Sequence, residues 1–157
     1  MFNRFSATVL FLILGVGLIF AQGDQKTESD DVVQTLKSYA AAVQSKDIDE
    51  IEKYVVTSED FTVFEGGHIN WGWPDYRDNH LAPELKTFLE FQYNYLNIKS
   101  QVMGDMAYAT LKYNSAIKMK EREEVSGEGL ATAVLIKKAG QWKIQHMHTS
   151  RIPKREH

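Results

Sequence analysis

The segment Thr87–Met119, TFLEFQYNYLNIKSQVMGDMAYATLKYNSAIKM, decides the fold class. Its aromatics Phe88, Phe91, Tyr93 and Tyr95 favour extended backbone. Gly104-Asp105 supplies a turn, and Met106–Met119 predicts a second long strand. Downstream, the charged run EREEVSGEG (121–129) reads as a hairpin connection and Leu130–Lys137 as a strand. Ala139-Gly140 is a tight turn into a last strand, Trp142–Ser150. Upstream the periodicity is helical. Asp30 or Asp31 caps a helix in which Val32, Val33, Leu36, Ala40 and Val43 recur at helical spacing to about Ser45. Asp47 caps a short second helix through Tyr54, with Ile48 and Ile51 inward. Phe61–Phe64 reads as a strand closed by Gly66-Gly67. Pro74 suits the first turn of another helix, and Pro83 starts or breaks a further one after His80. Helices first and a meander of long strands after is an α+β order, not an alternating βαβ one.

The first twenty-one residues set the expected compartment. Arg4 precedes an uncharged apolar run, Ala7–Phe20, and Ala21 offers a small residue for cleavage before Gln22, the layout of a secretory signal peptide. The run is shorter than the ~20 residues a membrane span needs, and polar sequence follows at once. The expectation is a periplasmic or secreted protein: signal peptide 1–21, flexible leader 22–29, one domain 30–151, C-terminal tail 152–157, and no stable membrane insertion after cleavage. With no cysteine, the domain has no disulfide, lipid-anchored thioether or thiol nucleophile. Removing a segment with one base leaves 17 basic against 21 acidic residues, a net charge of −4. That balance argues against a nucleic-acid partner, which calls for a basic footprint. No G-x-S-x-G, P-loop or G-x-G-x-x-G is present.

Four stretches, KDIDEIEKYV (46–55), DFTVFEGG (60–67), WGWPDYRDNHLAPEL (71–85) and GQWKIQHMHTSR (140–151), carry a resemblance. In this order, with the long strands between the last two, the chain resembles the SnoaL-like branch of the nuclear transport factor two-like superfamily from about Asp30 to Arg151. The resemblance implies a curved antiparallel sheet wrapped against N-terminal helices, with a cone-shaped cavity between them. It also implies a homodimer packed through the sheet. Relatives include isomerases, dehydratases, epoxide hydrolases, polyketide cyclases and non-catalytic binding domains, so fold alone does not assign function. The acids that mark ketosteroid isomerases and epoxide hydrolases do not map onto this chain residue by residue.

Histidines are the chemistry-bearing residues to follow. In a regular strand His146 and His148 share a face with Trp142, Ile144 and Ser150, and the large apolar members mark that face as inward. Two such imidazoles serve as metal ligands or as an acid/base pair, or else one bonds within the sheet and the other sits at a wet rim. Tyr76 and His80 stand at i, i+4 if Asp75–His80 is helical. Glu84 is four residues further, across Pro83. In the fold the resemblance implies, this segment closes the mouth of the cone, and His80 meets His146 and His148. That trio with Glu84 has the composition of a site for a divalent transition metal. Trp71, Trp73, Tyr93 and Tyr113 are candidate pocket residues, with a plug under the loop (the tryptophans) or plain sheet packing (the tyrosines) as the alternative. His68 reads as an exposed turn residue. Three functions follow: an exported domain binding a small molecule, an isomerase, dehydratase or cyclase with His146 or His148 as base and Tyr76 as donor, and a His-ligated metal protein.

Overall fold

The computed structural model describes the backbone of residues 8–153, and the side chains from Lys26 onward. The side chains of the expected signal peptide and the end of the C-terminal tail lie outside the described residues. Helix α1 spans Thr8–Ser45 and α2 spans Ile48–Glu52. Strands β1 (Thr62–Glu65) and β2 (His68–Trp71) form a hairpin. Helix α3 (Trp73–Tyr76), a π-helical turn (Arg77–Leu81) and α4 (Ala82–Thr87) follow without a break. Four long strands complete the chain: β3 (Phe88–Met103), β4 (Met106–Met119), β5 (Val125–Lys138) and β6 (Gln141–Arg151).

The strands form one curved, unclosed sheet in the order β2-β1-β6-β5-β4-β3. It is mixed rather than purely antiparallel, because β1 runs parallel to β6. The reason is topological: after the β1–β2 hairpin the chain crosses through α3 and α4 to the far edge, then meanders back until β6 lies beside β1. The connection 121–129 is also shorter than expected, since β5 already begins at Val125.

Helix α1 buries one stripe, Val32, Leu36, Tyr39, Ala40 and Val43, at the 3–4-residue spacing the sequence announces. It packs mainly along β3. The expected flexible leader is corrected here at its C-terminal end. Glu28 Oε2 accepts from Trp142 Nε1 at 2.9 Å and Glu28 Oε1 from Lys137 Nζ at 2.5 Å, while Ser29 and Ser100 hydroxyls meet at 2.7 Å. These bonds hold α1 to the far ends of β3, β5 and β6, and the Lys137 and Trp142 donors lower the Glu28 pKa. A polar stretch is read as leader only when its partners are unseen.

Gly66 and Gly67 have φ of 58° and 88°, the two positive angles of a tight hairpin turn, which pairs Glu65 with His68. Strand β6 carries one extra residue. Val134 pairs with His146 and Leu135 with Ile144, so Gln145 has no partner on β5 and forms a β-bulge. Trp142 and Ile144 are buried before it, Met147 and Thr149 after it. The inward face therefore switches parity at Gln145.

Leu36 is fully buried in the α1 stripe. Leu36→Ala is expected to lower unfolding free energy by about 2–5 kcal/mol, the loss of transfer energy plus an unfilled cavity. Urea denaturation of the two proteins measures it.

Candidate functional site

The pocket forms where the concave face of the sheet is roofed by α1 and the α3–α4 segment. Its volume is about 60 Å³, and its walls include Tyr39, Glu65, Tyr76, Tyr93, Met147 and Thr149. Each wall residue follows from an element already described. Tyr39 belongs to the buried stripe of α1. Phe61, Val63 and Glu65 alternate onto the inner side of β1, and the Gln145 bulge turns Met147 and Thr149 inward.

Hydroxyls line this space. Tyr76 is hydrogen-bonded to Tyr39, and Tyr93 Oη donates to Tyr95 Oη at 3.3 Å. Tyr95 Oη in turn donates to Met147 Sδ at 3.1 Å. Burial pushes the pKa values of Tyr39, Tyr76, Tyr93 and Tyr95 well up from their ordinary range, so all four stay neutral near pH 7 and serve as donors. Tyr113 lies opposite Gly129, and a β-carbon at 129 would occupy the place of its ring. Its hydroxyl bonds Thr149, one shell behind the pocket wall.

Glu65 is the acid of the pocket. Although 39% of its side-chain surface is still open, the protein packed around it is the main cause of a raised pKa. His80 opposes that shift, Glu84 adds to it, and Arg151 and His68 oppose it more weakly. His80 Nε2 lies 3.9 Å from Glu65 Oε2 and 3.5 Å from Glu84 Oε1. On the other side of the ring, His80 Nδ1 is 2.8 Å from Asn70 Oδ1. The Asn70 orientation is settled by its second bond, because Nδ2 donates to Asp75 Oδ2 at 2.9 Å and a carboxylate only accepts. Asn70 Oδ1 must therefore accept from His80 Nδ1–H, which leaves Nε2 facing the two carboxylates.

Tyr76 and His80 share one side, as their spacing suggests, and Glu84 joins them despite the disturbance of register expected at Pro83. The Tyr76 and His80 rings are 5.2 Å apart. Pro83 does not break the register, because it sits in the first turn of α4, where no amide bond is lost. The π-turn before it carries the chain through, with the Ala82 N–H bonded to Arg77 O.

The other expectations are corrected. The bulge places His146 and His148 on the outer face of the sheet, away from His80. His146 Nδ1 is 2.7 Å from Thr62 Oγ1, and the ring centroids of His146 and His148 lie 5.1 and 6.1 Å from Phe64. Burial first, and then His148, lowers the His146 pKa. Among the described residues no group of three or more His, Asp or Glu side chains is disposed to hold a metal ion, so the trio with Glu84 does not assemble. Trp73 is the buried plug: it packs edge-on against Phe61 and its Nε1 donates to Glu52 at 2.8 Å. Trp71 is 63% exposed on the outer face beside Phe64. His68 is exposed, as expected of a turn residue, yet its ring is 5.8 Å from that of His80.

Sequence reading missed Glu65, Tyr39 and Asn70. Glu65 did leave a signal, because it continues the Phe61, Val63 alternation and puts a carboxylate on an apolar face. Tyr39 sits between Leu36 and Val43 in the helical stripe. Asn70 left none.

A curved α+β sheet roofed by helices, with a small polar-walled pocket at its centre, defines the nuclear transport factor two-like class. The chain belongs to the SnoaL-like domain family, whose model matches residues 32–154. Among solved structures it is similar to a nuclear transport factor 2-like superfamily protein from Salmonella enterica serovar Typhimurium (TM-score 0.76, 18% identity, 82% of this chain and 94% of that one). A dehydratase candidate of the same family from Streptomyces avermitilis gives TM-score 0.73 at 16% identity, covering 82% and 98%. The association domain of C. elegans CaMKII gives 0.66 at 21% identity, covering 81% and 98%. No curated protein matches the chain.

The raised Glu65 pKa has a sign that can be checked. The folded state holds a proton on Glu65 at pH values where the unfolded chain, near its ordinary 4.5, has lost it. Folding stability therefore falls as pH rises from about 4.5 through the raised value. Glu65→Gln removes this dependence, so the variant gains on wild type as pH rises from 4.5 to 7 in parallel thermal melts.

Proposed function

We propose that this domain binds a small neutral molecule in the pocket, its oxygen held by the tyrosine hydroxyls and its apolar part by Met147 and Val63. The observation that carries this reading is a carboxyl group whose ionisation is disfavoured, set among neutral donors in a roofed pocket. A charged ligand would bring a second desolvation cost to a site that already disfavours charge. Drug-sized pockets run to about 300–1,000 Å³. A space of about 60 Å³ takes a ring or a short functional end, not a whole steroid-sized molecule.

One observation favours chemistry as well as binding. Glu65 faces His80 across 3.9 Å, with the imidazole tautomer fixed from behind. A carboxyl of raised pKa beside an orientated imidazole suits proton transfer at carbon, the step common to isomerisation and dehydration. In this reading Glu65 takes the proton and Tyr76 donates to the oxygen that becomes negative. The base is then Glu65, not His146 or His148.

The outer face of the sheet supports a homodimer. Ile69, Trp71, Tyr108 and Leu130 are exposed there, around Phe64 and the two histidines. A second copy would cover this area through an isologous contact. The similarity to a domain described as an association domain agrees with that reading without specifying the interface.

Two measurements test these readings. A panel of neutral cyclic ketones and phenols, screened by ligand-observed NMR, is expected to bind. Tyr76→Phe should weaken the affinity about two- to ten-fold, one lost neutral hydrogen bond. In D2O the α-protons of a bound ketone should exchange on wild type and not on Glu65→Gln, although that variant still binds. Binding without exchange leaves a binding domain; no binding to any member refutes the proposal. Light scattering should give a dimer mass for wild type and a monomer mass for Trp71→Glu with Leu130→Glu. A monomeric wild type at ~100 μM, far above the Kd of a stable interface, overturns the dimer.

A further inference from the structure

A second, outer cavity lies on the other side of His80. It is an open vestibule of about 230 Å³ walled by His68, Asn79, His80, Pro83 and Glu84. Glu84 borders both spaces. His80 stands between Glu65 and Glu84 with only 11% of its side chain exposed, whereas Glu65 is 39% and Glu84 57% exposed. Resting on the reading of Glu65 as the pocket acid, we propose that His80 is the proton port of the pocket. Through its Nε2, Glu65 exchanges its proton with solvent by way of Glu84.

The geometry fits that task. A histidine placed only to brace the loop could use both nitrogens for structural bonds. Here Nδ1 alone is committed, donating to Asn70, which Asp75 holds in turn. Nε2 is left between two carboxylates, 3.9 Å from Glu65 and 3.5 Å from Glu84. Small side-chain movements bring either within hydrogen-bond distance. The protons balance at every step. The Glu65 carboxylic acid gives its proton to neutral His80 at Nε2, leaving a carboxylate and an imidazolium. The imidazolium passes the proton to the Glu84 carboxylate, which releases it to water and is restored. The reverse order reloads Glu65.

The titratable groups facing this pair are His68 on β2, Asp75 and Tyr76 on α3, Glu84 on α4, Arg151 on β6, and Tyr39, Tyr93 and Tyr113 on α1, β3 and β4. Of these, only Glu84 both borders the pocket and opens to solvent beside Nε2. Tyr39 and Tyr76 cannot relay to bulk water, because they are buried and keep their protons, and half-buried Tyr93 keeps its proton as well.

The test needs no ligand, so it can fail while pocket binding stands, and the converse. The full-length chain is studied by time-resolved infrared spectroscopy after photorelease of protons. The protonated Glu65 carbonyl stretch is identified by its loss in Glu65→Gln. In wild type it should rise together with the imidazolium signal of His80. In His80→Gln, which keeps an amide donor toward Asn70, and in Glu84→Gln, each at its own titration midpoint, the rise should slow by roughly ten-fold or more. Equal rates in all three proteins overturn the port. So does a neutral His80 carrying its proton on Nε2 in long-range nitrogen–proton NMR spectra. Melting temperatures separate a misfolded variant from a slowed one, and surface-exposed Glu84→Gln stands as the control should His80→Gln fail to fold.

Discussion

Gln145 is the one residue that β6 has in excess over β5, and the rest of the pocket depends on it. Before the bulge, Trp142 and Ile144 fill the core. A strictly alternating strand would then drive His146 and His148 into the same core and turn Met147 and Thr149 out. Burying two imidazoles without partners costs several kcal/mol, and exposing a methionine forfeits about 1.5–3 more. The bulge avoids both at the expense of one unpaired position. It also delivers Met147 as the acceptor for Tyr95 and Thr149 as the partner of Tyr113, so the tyrosine network exists because of a register shift.

The parallel pairing of β1 with β6 continues this logic across the sheet. Thr62 pairs with His146 and Phe64 with His148, while Val63 and Glu65 pair with Met147 and Thr149. The outer quartet is therefore polar–aromatic, and the inner quartet forms the pocket wall. Glu65 is the last residue of β1 before the Gly66-Gly67 turn, which reverses the chain tightly enough to pair it with His68 and to pair Val63 with Asn70. Asn70 then fixes His80. The acid, its neighbour imidazole and the anchor of that imidazole thus come from one hairpin and the helical segment after it.

Much of the fold was legible because the signals are local. The α1 stripe, the Gly104 turn, β4 and the proline at the start of α3 all appear where their residues place them. What stayed hidden is non-local. Strand β2, HINW, alternates buried Asn70 with exposed Ile69 and Trp71, the inverse of an amphipathic strand. The reason is that its inner side faces His80 and Asp75 instead of a hydrophobic core. The bulge leaves no residue-type mark, since Gln145 is an ordinary polar side chain. One unmarked residue was enough to invert the placement of His146 and His148, because strand periodicity is two and any insertion flips everything after it.

The helical segment from Trp73 to Thr87 shows the opposite case, an irregularity that preserves a pattern. A regular α-helix running into Pro83 would lose an amide bond or kink. The π-turn at Arg77–Leu81 sets the end of one helical stretch and the start of the next so that Pro83 falls in a first turn. Tyr76, His80 and Glu84 remain on one side, facing in turn the tyrosine network, Glu65 and solvent. Single π-turns are less favourable than α-helix and concentrate where a side chain must be aimed. Here the cost is carried by the segment that aims His80 at the Glu65 carboxyl. Leu81 and Leu85, both buried, secure that segment against the core from the side opposite the exposed Asp78 and Glu84. Apolar anchoring on one side and titratable groups on the other make the α3–α4 segment both roof and outlet of the pocket.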